Sequence, residues 1–136
     1  MSALLFLAAV SADLDVLDDA VRRCDRKVSN PVFAAEAARR AQFLVDAYRE
    51  QEAIVDDRLA IADKRRELRE NNGTGAKSAD IKSAEKQLDL QDANLEDRQK
   101  ALNDKRLLEG IRQDATDAIR RYFLNNCPAS GFQKAD

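Results

Sequence analysis

The chain has 136 residues, with 23 Lys and Arg against 25 Asp and Glu, for a formal net charge of −2. Charged residues make up 35% and aromatics 5%, with four glycines, two prolines and neither tryptophan nor histidine. One domain of long charged helices fits this composition, whereas a β-sandwich or doubly wound sheet does not. The missing histidines remove the commonest general base, metal ligand and near-neutral proton switch together.

Charge is balanced locally as well as overall. Five acids and four bases lie between Asp13 and Asn30, nine and eight between Glu36 and Glu70, ten and ten between Lys77 and Phe123. No segment offers the basic stripe that phosphate contacts need, which argues against nucleic acid and against an anionic membrane surface as partners.

The chain opens on an uninterrupted apolar run, Ala3 to Val10, followed by Val10-Ser11-Ala12 and the acidic Asp13. Residues 1–12 read as a signal peptide with small residues before the cleavage point. The run is too short to span a bilayer, which takes ~20 residues, so no integral span is expected. No Lys or Arg precedes it. Either the true start lies upstream and Met1 is internal, or the segment is a buried first helix of a cytosolic protein. No cysteine follows the run closely, so a lipoprotein anchor is not supported.

The first helix is predicted from about Ala12 to Lys27. Leu14, Leu17, Val21, Cys24 and Val28 fall on one narrow face, Ser11 or Asp13 caps the start, and Ser29-Asn30-Pro31 stops it. Asn30 then caps a second helix, with Pro31 at its first position, where a missing N–H is harmless. That helix runs from about Pro31 to Asn71 and a third from about Ser78 to Asn125. At ~1.5 Å per residue they are roughly 60 and 70 Å long. Asn72-Gly73-Thr74-Gly75 is the turn between them. Pairs such as Glu36–Arg40, Glu96–Lys100 and Asp117–Arg121 support the helices by tenths of a kcal/mol each. Asn126-Cys127-Pro128 ends the third helix, and residues 129–136 read as a flexible tail.

A register test gives the two long helices a partner: each other. Ala47, Ile54, Ile61 and Leu68 repeat every seven residues, as do Ile81, Leu88, Leu95 and Leu102. Folding back at the glycine turn sets Leu68 against Ile81, Ile61 against Leu88, Ile54 against Leu95 and Ala47 against Leu102. The next pair is Arg40 with Glu109, opposite in charge. This is the pattern of an antiparallel coiled-coil hairpin. Cys24 and Cys127 fall near the same register. A bridge between them would close a loop of about 100 residues, worth ~4–5 kcal/mol in the chain-entropy model; reduced, they would be small buried hydrophobes.

Near the turn the seam is flanked by the polar Gln51, Arg58, Arg65, Gln91, Arg98 and Lys105. Further from it, Ala41, Leu44, Val45, Tyr48, Val55 and Leu59 join on one helix, with Leu107, Leu108, Ile111, Ala115, Ile119, Tyr122 and Phe123 on the other. With Leu14, Leu17 and Val21 available as a cover, Leu44, Tyr48, Leu108, Ile111, Ile119 and Tyr122 are expected in the core of a three-helix base. The expected fold is therefore all-α: a long antiparallel coiled-coil helical hairpin over residues 13–128, with a short N-terminal helix packed at its base. A seam this thin is marginal alone, which motivates a homodimer or another protein partner.

The chemistry-bearing patterns are weak. The Ile81-Leu88-Leu95-Leu102 ladder has zipper spacing, but only Lys77 precedes it where a basic region would stand. A di-iron bundle needs Glu-x-x-His, which this sequence cannot write. Asp18-Asp19 and Asp56-Asp57 are helix neighbours pointing about 100° apart, so neither makes a paired acid and base. Gly73 and Gly75 follow a helix and lack the Lys-Ser/Thr of a phosphate loop. Asn72-Gly73-Thr74 fits a glycosylation acceptor, although the turn needs the same residues. Phe132 and Lys134 fit a contact peptide or a disordered end. No enzyme, cofactor or metal site is expected.

Two functions fit: an exported, periplasmic or secreted helical-hairpin protein acting as an assembly factor, chaperone-like protein or scaffold; or a cytosolic coiled-coil subunit or regulator paired with another protein. The register makes a direct prediction. Ile61→Cys combined with Leu88→Cys should cross-link readily within a monomer under mild oxidation, and failure to do so rejects the pairing.

Overall fold

A computed structural model of the protein describes residues 14–72 and 78–129. The signal-peptide reading over residues 1–12, the glycines of the predicted turn and the contact-peptide residues Phe132 and Lys134 lie outside the described residues. Within them every regular element is α-helical: α1 over 14–22, α2 at Arg26–Asn71 and α3 at Ser78–Asn126. They fall into two compact units, formed by the described residues of Met1–Gln42 with Leu108–Asp136 and by those of Phe43–Leu107. In each unit a stretch of α2 lies against an antiparallel stretch of α3. The short α1 packs on both in the first.

The start of α2 differs from the sequence expectation. The first helix does not continue to Lys27, and Ser29-Asn30-Pro31 is not a stop. Cys24 takes a left-handed conformation, φ 53°. Its N–H donates to Val21 O at 3.0 Å, and Asp25 N–H donates to Ala20 O at 2.9 Å. These are the two bonds of a Schellman C-cap, with cysteine at the position glycine usually holds. An L-residue pays about 1–2 kcal/mol to sit there. Asp25 immediately becomes the N-cap of α2, its carboxylate accepting from Val28 N–H at 3.3 Å. Ser29 is fully buried and its hydroxyl donates to Asp25 O at 2.8 Å. Pro31 therefore lies inside α2, where it forgoes one backbone bond. One helix ends and the next begins within three residues, which brings Cys24 to the end of α3.

The first unit closes around that point. Cys24 and Cys127 form a disulfide, with Cα atoms 5.4 Å apart. Leu17, Val21, Phe123 and Cys127 make the core, with Val32, Phe33 and Ile119 packed on it. Phe33 and Phe123 meet at a ring separation of 5.7 Å, and the Arg26 guanidinium lies 4.7 Å above the Phe123 ring. Arg26 also donates to the carbonyls of Cys127 and Pro128, just beyond the end of α3.

In the second unit Ala47, Ile54 and Leu102 cluster with Phe43, and Ile61, Leu88 and Leu95 cluster with Leu68. Ile81 is buried as well. Charged and amide side chains clasp the two sides. Arg98 reaches Glu50 at 3.0 Å and Asp57 at 2.9 Å, Arg65 reaches Asp89 at 2.8 Å and Asp92 at 2.7 Å, and Gln51 exchanges amide bonds with Gln99.

The expected wide core is corrected. Of its members, Leu17 and Val21 are buried and Leu14 and Ile119 half-buried, whereas Leu44, Tyr48, Leu108, Ile111 and Tyr122 are exposed. The reason is the path of the buried line on α3. From Leu102 it continues in steps of seven through Glu109, Thr116 and Phe123, all buried. Leu108, Ile111 and Tyr122 fall roughly 100–160° around the helix from that line. The shortened α1, tied down by the bridge, covers Phe123 and leaves them open.

Replacing both bridge cysteines by serine should lower unfolding stability in urea by about 2–5 kcal/mol and remove hydrogen-exchange protection from α1 first. Unchanged stability would show that the bridge is not what holds this end.

Candidate functional site

Three features of the described residues carry chemistry beyond simple helix packing. The first is a buried ionic layer in the first unit. The Glu36 carboxylate, 8% exposed, accepts from Arg39 at 2.6 and 3.0 Å and from Arg112 at 3.1 Å. Arg39 spans the helices, donating to both oxygens of Glu109 at 2.6 and 2.8 Å, and Gln113 adds a bond to Glu109 at 2.9 Å. Arg40 donates to Gln113 O, to the Thr116 hydroxyl and to Asp117 at 2.9 Å. Its buried Nε has no hydrogen-bond partner, the Glu36 carboxylate standing 3.8 Å away.

The electrostatics follow from this geometry. Burial pushes the Glu36 carboxyl up, but hydrogen bonds from Arg39 and Arg112, with their charges, outweigh it and hold the group at about 2. The bond from Arg39 likewise holds Glu109 below the usual carboxylate range, against burial. Both acids stay ionised at neutral pH, and Arg39 is raised by the bonds it gives them. Apart from the Arg40 Nε, the charged groups of the layer are engaged by one another. Bidentate arginine pairs of this kind impose alignment between helices.

Sequence reasoning found part of this layer. The Glu36–Arg40 pair is present at 3.8 Å. Glu109 is met by Arg39 rather than by Arg40, and the Asp117 carboxylate goes to Arg40 rather than forming the expected pair with Arg121. Arg39, Arg112 and Thr116 carry no local sequence signal of their own. The available signal was the α3 ladder, which continues beyond Leu102 at the same spacing onto polar residues.

The second feature is the disulfide junction. The third is a set of exposed apolar side chains. On α2 in the second unit Leu44 is 67% and Tyr48 68% exposed, with Val55 and Leu59 also open. In the first unit Leu108, Ile111 and Tyr122 are exposed on α3. An open concavity of about 530 Å³ in the second unit is lined by Asp57, Ile61, Lys64, Leu90, Asn94 and Arg98 among others. Its Asp57 is engaged by Arg98.

Among the described residues no three His, Cys, Asp or Glu side chains converge as metal ligands, and no helix is long and apolar enough to cross a membrane. Comparison with protein-family models, with curated proteins and with solved structures finds no match.

The ionic layer makes a signed prediction. A carboxylate held below its unfolded value stabilises the fold above that value and loses its contribution as pH falls through the folded one. Stability should be flat above pH 5 and decline between about 4.5 and about 2. Glu36→Gln should cost ~3 kcal/mol at pH 7 by leaving Arg39 and Arg112 underpaired, and should flatten that acid decline. An identical pH profile in the variant would show that Glu36 does not carry it.

Proposed function

We propose that this chain is an exported, non-catalytic helical-hairpin protein that acts through protein–protein contacts, as an assembly factor, chaperone-like protein or scaffold. The observation that carries the reading is the exposure of large apolar side chains in rows along regular helix, Leu44, Tyr48, Val55 and Leu59 on α2 and Leu108, Ile111 and Tyr122 on α3. Contiguous apolar surface on otherwise charged helices is the usual mark of a protein contact.

Two further observations support the reading. The Cys24–Cys127 bridge fits an oxidising compartment, where such bonds form and persist. The buried acids are ionised and held by arginine, Glu36 by Arg39 and Arg112 and Glu109 by Arg39, which suits a structural part better than proton transfer. The long helices are read as a coiled coil in the single register of the sequence. The grouping of Ala47 and Ile54 with Leu102, and of Ile61 with Leu88 and Leu95, supports that register.

Two measurements test this. Intact mass of the protein from its native source should show residues 1–12 removed and the two thiol hydrogens absent; full-length protein with free thiols overturns export. A photoreactive residue at Ile111 should give adducts to other proteins in living cells, whereas one at Glu96 should not. Equal labelling from both positions, or none from Ile111, overturns an interaction role for the exposed rows.

A further inference from the structure

The α2 row in the second unit has a more specific geometry than an apolar patch. Leu44, Tyr48, Val55 and Leu59 are spaced four, seven and four residues apart, an eleven-residue repeat. At 3.67 residues per turn such a repeat forms a straight stripe along a helix, here about 22 Å long. At about 100° per residue the stripe lies roughly 120° around α2 from the buried line of Ala47, Ile54 and Ile61. A second helix can therefore lie on it without displacing α3.

The two edges of the stripe carry opposite charge. Within its span Glu52 and Asp56 fall along one edge, with Arg49 further round, and Arg58 along the other; beyond Leu59 the edges continue with Asp63, which holds Arg66 at 3.4 Å, and Arg69, and all of these are exposed. Arg65 and Arg98, nearby on the two helices, are engaged by acids across the seam. Among the described residues no ion pair engages Glu52, Asp56 or Arg58.

We propose that this stripe is a self-association surface, on which α2 of a second copy packs parallel and in register. The proposal rests on the protein-contact reading above and names the partner. The charge pattern selects both identity and direction. In a parallel pair the acidic edge of each copy lies along the basic edge of the other, so Arg58 reaches Asp56 and Asp63 of the second copy, twice by symmetry. An antiparallel pair would set acid against acid, with Glu52 near its own copy, and arginine against arginine. The same four apolar side chains meet across the axis, Leu44 on Leu44 and Val55 on Val55. With one short stripe per copy, the dimer is concentration-dependent rather than permanent.

Sedimentation equilibrium of the oxidised full chain at low salt tests this directly. The weight-average mass should rise from monomer towards dimer with concentration. Leu44→Glu with Leu59→Glu should abolish the rise while circular dichroism and the unfolding midpoint of the dilute protein stay unchanged, because both residues are exposed in the monomer. Arg58→Glu should weaken association about fivefold, and adding Asp56→Arg should restore it. Val55→Cys alone should cross-link two copies. A monomer at the highest soluble concentration overturns the proposal, as does association untouched by the double glutamate variant. Cross-linking between Leu44→Cys and Leu59→Cys copies, with none through Val55→Cys, overturns the parallel arrangement. A photoreactive residue at Leu59 that captures only unlike proteins overturns self-pairing. Persistent adducts from Ile111 in any of these cases would leave the broader interaction role standing, so the two failures are separable.

Discussion

Two helices that bury one large apolar side chain per seven residues each are short of hydrophobic stabilisation. A buried Leu or Ile contributes ~1.5–3 kcal/mol, while ordering each residue of backbone costs ~1–2 kcal/mol. In the second unit the buried line is no wider than that: Ala47, Ile54 and Ile61 from α2, and Ile81, Leu88, Leu95 and Leu102 from α3. Its flanks are closed by Arg65, Arg98 and the Gln51–Gln99 amides, largely at the water boundary. Such pairs add little net energy each. They do penalise a slipped alignment, since each arginine is matched to two acids.

The first unit meets the same shortage by different means. A covalent bridge, a Schellman turn centred on a cysteine and an arginine laid over a phenylalanine all converge at one end. These are one construction. The bridge requires Cys24 close to Cys127, that position requires the chain to reverse at once, and the reversal sets the start of α2 at Arg26. Where the apolar line would continue, the chain places Glu36, Arg39, Glu109 and Arg112 instead. A buried charge network is a poor source of net stability compared with an apolar core of equal volume. Its value lies in discrimination: any other alignment strands a buried charge.

The exposed rows follow from the same narrowness. A buried line one residue wide leaves no room for Leu44, Tyr48, Val55 and Leu59, or for Leu108, Ile111 and Tyr122. These side chains stand on regular helix, so the backbone that carries them is ordered by the fold itself.

The linear sequence settled the helical class, the ends of α2 and α3 near Asn71, Ser78 and Asn126, and the repeat of seven that marks the narrow seam. Each is a local or periodic property, written in the spacing of apolar residues and in a glycine-bearing turn signal. The pairing of Cys24 with Cys127 was legible only as a register agreement. What tertiary structure decided was where that periodicity stops meaning burial. Pro31 read as a helix start by local rules, yet Cys24 and Asp25 end one helix and begin the next, because the bridge and the buried Ser29 outweigh one lost backbone bond. Leu108 and Ile111 read as core by hydrophobicity, yet Glu109 is the buried neighbour, because Arg39 from α2 and the Gln113 amide from α3 meet its ionised carboxylate. Local propensity cannot see a partner seventy residues away, and that partner is what makes the burial of a charge affordable.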